Sequence, residues 1–178
     1  MYNAKKYAAS VAMGKEAEET FVELAKTRNY SVTKATLQQD RMEHWDYELS
    51  KTINNNFFKR KIDVKAMKKI NRSDECPTDK MFLIELNNVG GGKGWLYGQA
   101  DGFAFQLTNG FILIPKDDLI KQVESLIDVT ADSKPSTSNK KEHVIYDRKR
   151  WGNKDRFVNI KKEDLLAIRN TMLWSYNE

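Results

Sequence analysis

Residues 44–69 read HWDYELSKTINNNFFKRKIDVKAMKK, and the reading of this stretch decides the fold. Two strand-like runs, 46–49 and 58–67, are expected on either side of a polar turn over 50–56. Side chains alternate along a strand, so Phe58, Arg60, Ile62, Val64 and Ala66 share one face of the second run. Lys59, Lys61, Asp63, Lys65 and Met67 share the other. Ile62, Val64 and Ala66 then face a core, while Asp63 and Lys65 project together from the opposite side. With Asp46 on the preceding strand, the pattern makes a candidate magnesium site. Carboxylates are hard oxygen ligands, and the ion keeps open positions for water and phosphate. Lys65 is placed to orient an attacking water and to offset charge developing on a phosphate.

Working outward, the 178 residues suit one domain with a sizeable core and are short for two, so a single domain over 1–178 is expected. A composition 40% hydrophobic and 11% aromatic argues against disorder. No apolar run is long enough to cross a bilayer. The N-terminal MYNAKKYAASVAMGKEAEE lacks the continuous apolar segment of a signal peptide, so a cytoplasmic protein is expected. Cys76 stands alone beside Asp74, Glu75 and Pro77, which excludes an internal disulfide and reads as a solvated loop. The net charge is +5, but residues 51–72 alone hold eight Lys or Arg against one acid, Asp63. Such a run attracts a polyanion through its phosphates; the competing reading is an edge strand that lysines protect from aggregation. The acid inside the run favours the first.

Ahead of this stretch, residues 13–27 read as a helix whose Ala17, Phe21, Leu24 and Ala25 form a buried stripe. Glu18 lies at the border of that stripe. Residues 30–36 are β-branched and strand-like, and 38–44 are polar, a loop or short helix. In that segment Asp40 reads as a loop acid and His44 as a structural neighbour of Trp45. The order is therefore helix, strand, strand with Asp46, strand with Asp63 and Lys65.

That order, with an acid on one strand and D-x-K on the next, resembles the opening of the PD-(D/E)xK nuclease superfamily. Trp45 stands where the family has proline. The spacing of Gly14, Glu18, Phe21, Leu24 and Tyr30 is similar to the first helix of its Holliday-junction resolvases, whose glutamate completes the metal site. Glu18 matches that glutamate, and Glu19 is the alternative one residue out of register. The resemblance covers 14–67 well and 81–127 loosely. It implies an α+β fold, a restriction-endonuclease-like αβββαβ core with a mixed central sheet flanked by helices. It also implies a DNA endonuclease in which Glu18, Asp46, Asp63 and the Val64 carbonyl hold Mg²⁺ or Mn²⁺ and Lys65 acts beside them. A homodimer follows from the same likeness, since resolvase-like relatives make two cuts with two sites.

Further on, 71–80 reads as a surface loop and 81–89 as a buried strand. The glycine cluster 90–94 lacks the Ser or Thr that a phosphate loop needs after its lysine, because Gly94 follows Lys93. Lys93 and Trp95 are instead candidates for contact with DNA. A hairpin over 100–107 and 110–115 carries Asp101, whose GWLYGQAD setting is similar to phage-type members of the group. Residues 117–127 read as an amphipathic helix, and 128–142 as a mobile excursion. A C-terminal hairpin, 144–149 and 156–160, and a helix over 162–174 complete the chain. Arg148, Lys149, Arg150, Lys154 and Arg156 put five more cations near that hairpin, with Trp151 among them. The candidate DNA contacts are thus Lys59, Lys61, Lys68, Lys69, Lys93, Trp95, Arg148 and Arg150. A non-catalytic DNA-binding or inhibitory protein on the same fold is the competing reading. A small interaction domain with a chance D-x-K is the third.

Overall fold

The apolar stripe on the first helix organises the first half of the structure. In a computed structural model, described for residues 2–70, 74–136, 140–148 and 152–177 with side chains from residue 8, helix α1 spans Tyr2–Thr27. It starts well before the expected residue 13 and stops at Asn29, which takes the left-handed φ of 61°. Strand β1 (Ser31–Lys34) follows, then helix α2 (Leu37–Glu43). Thr36 caps α2 reciprocally with Gln39, each side chain accepting from the other's backbone amide. Strands β2 (Tyr47–Ile53) and β3 (Asn56–Lys65) form a tighter hairpin than the polar turn expected over 50–56. Asn54 and Asn55 both hold positive φ, 50° and 64°, the two-residue turn whose twist matches paired strands. Both strands consequently run on into the polar residues.

Beyond β3 come β4 (Met81–Asn87), a 3-10 turn (Trp95–Tyr97), β5 (Gly102–Leu107), β6 (Gly110–Pro115) and α3 (Lys116–Leu126). Then follow β7 (Lys134–Pro135), β8 (Ile145–Asp147), β9 (Arg156–Lys161), the short α4 (Lys162–Leu166) and β10 (Met172–Ser175). The expected helix to Trp174 is corrected here: it ends after Leu166 and the chain leaves as a strand. The Thr171 hydroxyl donates to the Leu165 carbonyl at that exit, and β10 finds a partner in β6. Pairing with a distant strand overrides a pattern that reads locally as helix.

The architecture is mixed α+β, and the chain falls into two compact units. The first unit comprises Met1–Met67, Gln99–Leu113 and Leu173–Glu178. Its sheet has the order β1-β2-β3-β5-β6-β10, antiparallel through β1, β2 and β3 and parallel from β3 to β5, which makes it mixed. Helix α1 covers one face. Phe21, wholly buried, lies edge-on to Phe111 at 5.3 Å and stacks on Trp174 at 5.6 Å. Ala17, Leu24, Ile62, Val64 and Ala104 join the same cluster, so the expected inward face of β3 is the observed one.

The second unit comprises Lys68–Gly98 and Ile114–Met172, with a sheet ordered β4-β9-β8-β7. Phe82, Ile84, Val158 and Ile160 are buried along the β4–β9 pair. The glycine cluster is a tight turn onto β4, with Gly94 N donating to Leu86 O at 2.9 Å. A Cβ on Gly94 would sit 2.3 Å from the Glu85 carbonyl oxygen, so only glycine permits this approach. Within 128–142, the excursion expected from composition, the described residues include the short strand β7. Among the described residues no helix is long and apolar enough to cross a membrane.

Phe21→Ala removes a wholly buried ring from the first unit's core and is expected to cost roughly 3–5 kcal/mol. Equilibrium urea unfolding checks this, and a loss under about 1 kcal/mol would refute the packing described.

Candidate active site

Asp46 sits immediately before β2 with its backbone held on both sides. Its amide donates to Ile62 O at 2.9 Å, and its carbonyl accepts from Ala35 N at 2.8 Å. The carboxylate then continues the β2–β3 ladder by side chain, Oδ2 accepting from the Val64 amide at 2.7 Å. On β3, Asp63 lies in register with Phe103 and Lys65 with Phe105, on the face opposite Val64 and the α1 core. Asp63 is only 4% exposed. Lys65 Nζ lies 2.6 Å from its Oδ2, a close ion pair that approaches outside well-directed hydrogen-bond geometry. The Asp46 and Asp63 carboxyls lie close enough to influence each other's charge. The structure thus brings Asp46, Asp63, Val64 and Lys65 together, as the pattern in 44–69 leads one to expect.

Glu18 comes from the border of the α1 stripe. Its Oε2 accepts from the Tyr47 hydroxyl at 3.2 Å and from Lys34 Nζ at 3.3 Å. Glu19, the alternative, is exposed and lies 3.6 Å from Lys15 on the solvent side of the helix. The geometry therefore chooses Glu18 of the two as the acid facing this region. Tyr47 and Lys34 are the partners that sequence reasoning missed. The signal was available, since Tyr47 follows Asp46 and alternates toward α1.

Electrostatics ties these acids into one chain with Asp46 in the middle. Burial, with the Asp63 charge beside it, pushes Asp46 up from 3.8 to about 7, against the pull of Lys65 and the Val64 amide. Burial raises Asp63 as well, opposed by Lys65, with Asp40 of α2 adding to the rise. Burial and the Asp46 charge raise Glu18, opposed by Lys34. Burial thus holds both carboxyls above the ordinary Asp range, so the Asp46–Asp63 pair keeps a proton to higher pH than free carboxylates do. A site that holds a proton so tightly is short of positive charge, and its hard oxygens suit a divalent cation. Asp46, Asp63 and the Val64 carbonyl are the groups on hand for one. Among the described residues no three His, Cys, Asp or Glu side chains converge as a ready-made cage; Glu18 stands with Lys34 and Tyr47 instead.

The expected DNA contacts divide. Lys68, Lys69 and Lys93 are exposed. Lys59 pairs with Glu48 at 2.9 Å, and Lys61 with Glu43 at 3.2 Å while covering the Trp45 ring at 4.9 Å. Arg148 is half exposed and lies 3.3 Å from Asp155. Trp95 is a correction: at 8% exposure its ring is packed in the 3-10 turn and offers no face for a base. Arg150, with Lys149 and Trp151, lies outside the described residues. Asp101 is structural in this setting, exchanging two hydrogen bonds with the Lys61 backbone at 2.7 and 2.8 Å. His44 ends α2 in the left-handed conformation.

Because the folded Asp46 titrates above its ordinary 3.8, its proton stabilises the fold fully below that value, and the effect is lost as pH rises through about 7. Stability should therefore fall by a few kcal/mol, in order of magnitude, between about pH 4 and pH 8. Asp46→Asn, neutral throughout, should show a shallower profile and exceed the natural protein in Tm at pH 8. Thermal unfolding across pH checks this, and identical profiles would mean that Asp46 is not held protonated.

No protein family, curated protein or solved structure matches this chain, so its site is read from its own geometry.

Proposed function

We propose that the chain is a metal-dependent nuclease that hydrolyses phosphodiester bonds in DNA, of the PD-(D/E)xK kind. The observation that carries this reading is the buried Asp63 carboxylate, 2.6 Å from Lys65 and next to Val64, whose amide donates to Asp46. The antiparallel β1-β2-β3 set after α1, with β5 parallel to β3, supports it as a setting for that motif. The carboxylates of Asp46 and Asp63 and the carbonyl of Val64 would hold Mg²⁺ or Mn²⁺, with Glu18 nearest among the remaining acids. Bound there, the ion would supply Lewis acidity toward the scissile phosphate. Lys65 would contribute its ammonium, offsetting charge that develops on the phosphate oxygens and positioning the water that attacks. Asp63 holds that ammonium in place, and the Val64 amide fixes the Asp46 carboxylate. The exposed cations Lys68, Lys69 and Lys93 offer phosphate contacts of a sequence-independent sort.

A second reading, a non-catalytic DNA-binding or inhibitory protein, draws on the pairing of Glu18 with Lys34 and Tyr47, which leaves that acid engaged. The two readings part in one assay. Labelled linear, branched and single-stranded DNA is incubated with Mg²⁺ or Mn²⁺ and with Asp63→Ala and Lys65→Ala beside the natural protein. Cleavage that falls at least about a hundredfold in both variants is the expected result. Salt-dependent binding without cleavage would hand the case to the second reading, and neither binding nor cleavage would overturn both.

A further inference from the structure

The β2–β3 ribbon runs past both of its neighbours in the first unit's sheet. β1 pairs with β2 only as far as Ser50, and β5 pairs with β3 only from Ile62 onward. Among the described residues, 51–53 and their partners 56–58 therefore pair with no third strand, and the Asn54–Asn55 turn closes them. This tip carries three large apolar side chains that the fold leaves in water: Ile53 is 40% exposed, Phe57 68% and Phe58 43%. Alternation divides them. Ile53 and Phe58 lie on the side of Ile62 and Val64, whereas Phe57 lies on the side of Asp63 and Lys65. An aromatic ring thus stands on each face of the ribbon. A two-stranded ribbon is marginal by itself, and rings this exposed do little to stabilise it. Phe57 in particular has only Thr52 across from it and Lys59 two residues on.

The charge at the tip says what can cover the rings. No Asp or Glu occurs from 49 to 62. Lys59 is neutralised by Glu48, 2.9 Å away. Lys51 and Arg60 are bound only to neutral groups. Lys51 Nζ, 5.0 Å over the Tyr30 ring, donates to the Arg28 carbonyl at 2.7 Å. Arg60 Nη1 donates to the Lys59 carbonyl at 2.9 Å. Such partners orient a cation and leave it its full charge. Both cations lie on the Phe58 side, Lys51 directly across from the ring and Arg60 two residues on. An apolar protein surface laid here would desolvate two cations, and an acidic one would leave the rings uncovered. A nucleic-acid strand satisfies both demands, since its phosphates draw cations and its bases stack on aromatic side chains. Those bases must be unpaired, because a base inside a duplex already stacks on its neighbours.

We propose that the β2–β3 tip is a stacking wedge for unpaired bases of a DNA strand, Phe57 and Phe58 each taking a base on its own face while Lys51 and Arg60 attract the phosphates. The assignment rests on DNA binding, which both readings above share, and not on metal chemistry. Phe57 lies six residues from Asp63 on the same face, about 20 Å along the strand. The wedge therefore grips DNA at a distance from the acids.

The test is fluorescence anisotropy of the full chain with a labelled oligothymidine and with an abasic strand of the same length, in EDTA to stop metal-dependent cleavage. The two strands carry the same phosphates and differ only in their bases. The natural protein is expected to bind the base-bearing strand at least about fivefold more tightly. Phe57→Thr, a β-branched replacement at an exposed strand position, should reduce that preference severalfold. Phe57→Trp should keep it, and Arg60→Gln should weaken both strands alike. Equal affinity of the natural protein for the two strands overturns the wedge, as does a preference that survives Phe57→Thr. A dimer seen in sedimentation and dissolved by Phe57→Thr, with the base preference intact, assigns the rings to a second copy and likewise overturns it. Binding with the expected preference but no cleavage in Mg²⁺ leaves the wedge standing while the nuclease reading falls. Failure to bind either strand removes both.

Discussion

Taking a carboxylate out of water costs several kcal/mol unless charge and hydrogen bonds replace its hydration. Asp63 is buried inside a sheet, and the surrounding first unit follows from that constraint. Lys65 must lie on the same face, which a spacing of two on a strand guarantees. Asp46 must arrive protonated or beside a cation, because two bare carboxylates cannot share so small a space. The tight Asn54–Asn55 turn fixes the register that lays Tyr47 against Ile62 and so delivers Asp46 to the Val64 amide. Parallel pairing with β5 then closes the other side of β3, placing wholly buried Phe103 beside Asp63. The acid pair is dry on its sheet side and polar toward Asp46, an arrangement in which an added positive charge has a strong effect.

Much of this was legible in residues 44–69 because alternation is a strict geometric rule. The inward face of β3, the shared face of Asp63 and Lys65, and the proximity of Asp46 all follow from period two. The stripe of Ala17, Phe21, Leu24 and Ala25 likewise announced which side of α1 would be buried, and with it the position of Glu18. What stayed hidden depends on contacts between distant residues. Nothing local says that Lys34 would reach Glu18 from β1, or that Trp95 would be packed when it follows an exposed glycine turn. The residues from 167 onward carry enough apolar spacing to read as helix, and only the open edge of β6 explains why they extend. Two compact units were equally invisible. The chain passes between them at Met67, Gly98, Leu113 and Met172, so neither unit is one continuous stretch of sequence.

The cations illustrate why a charge run is a poor guide to contact. Residues 51–72 look uniformly basic in sequence, yet Lys59 and Lys61 spend their charge on Glu48 and Glu43, acids that lie outside the run and come in from β2 and from α2. Lys68 and Lys69 belong instead to the second unit, where they meet Lys140 and Arg148 across nearly eighty residues of sequence. The net charge of a segment and the field at a surface are different quantities, and only folding converts one into the other.

Strand β10 has a consequence for the order in which the protein can assemble. The first unit's sheet takes its last strand from residues 172–175, long after β6 ends at Pro115, and its core takes Trp174 from the same segment. During synthesis α1 through β6 emerge with that slot empty and the β6 edge open. The second-unit residues Ile114–Met172 must then be made before the closing strand is complete. Such long-range closure slows folding and leaves an apolar edge exposed meanwhile. The nascent chain is therefore most prone to aggregate just when most of it has already been made.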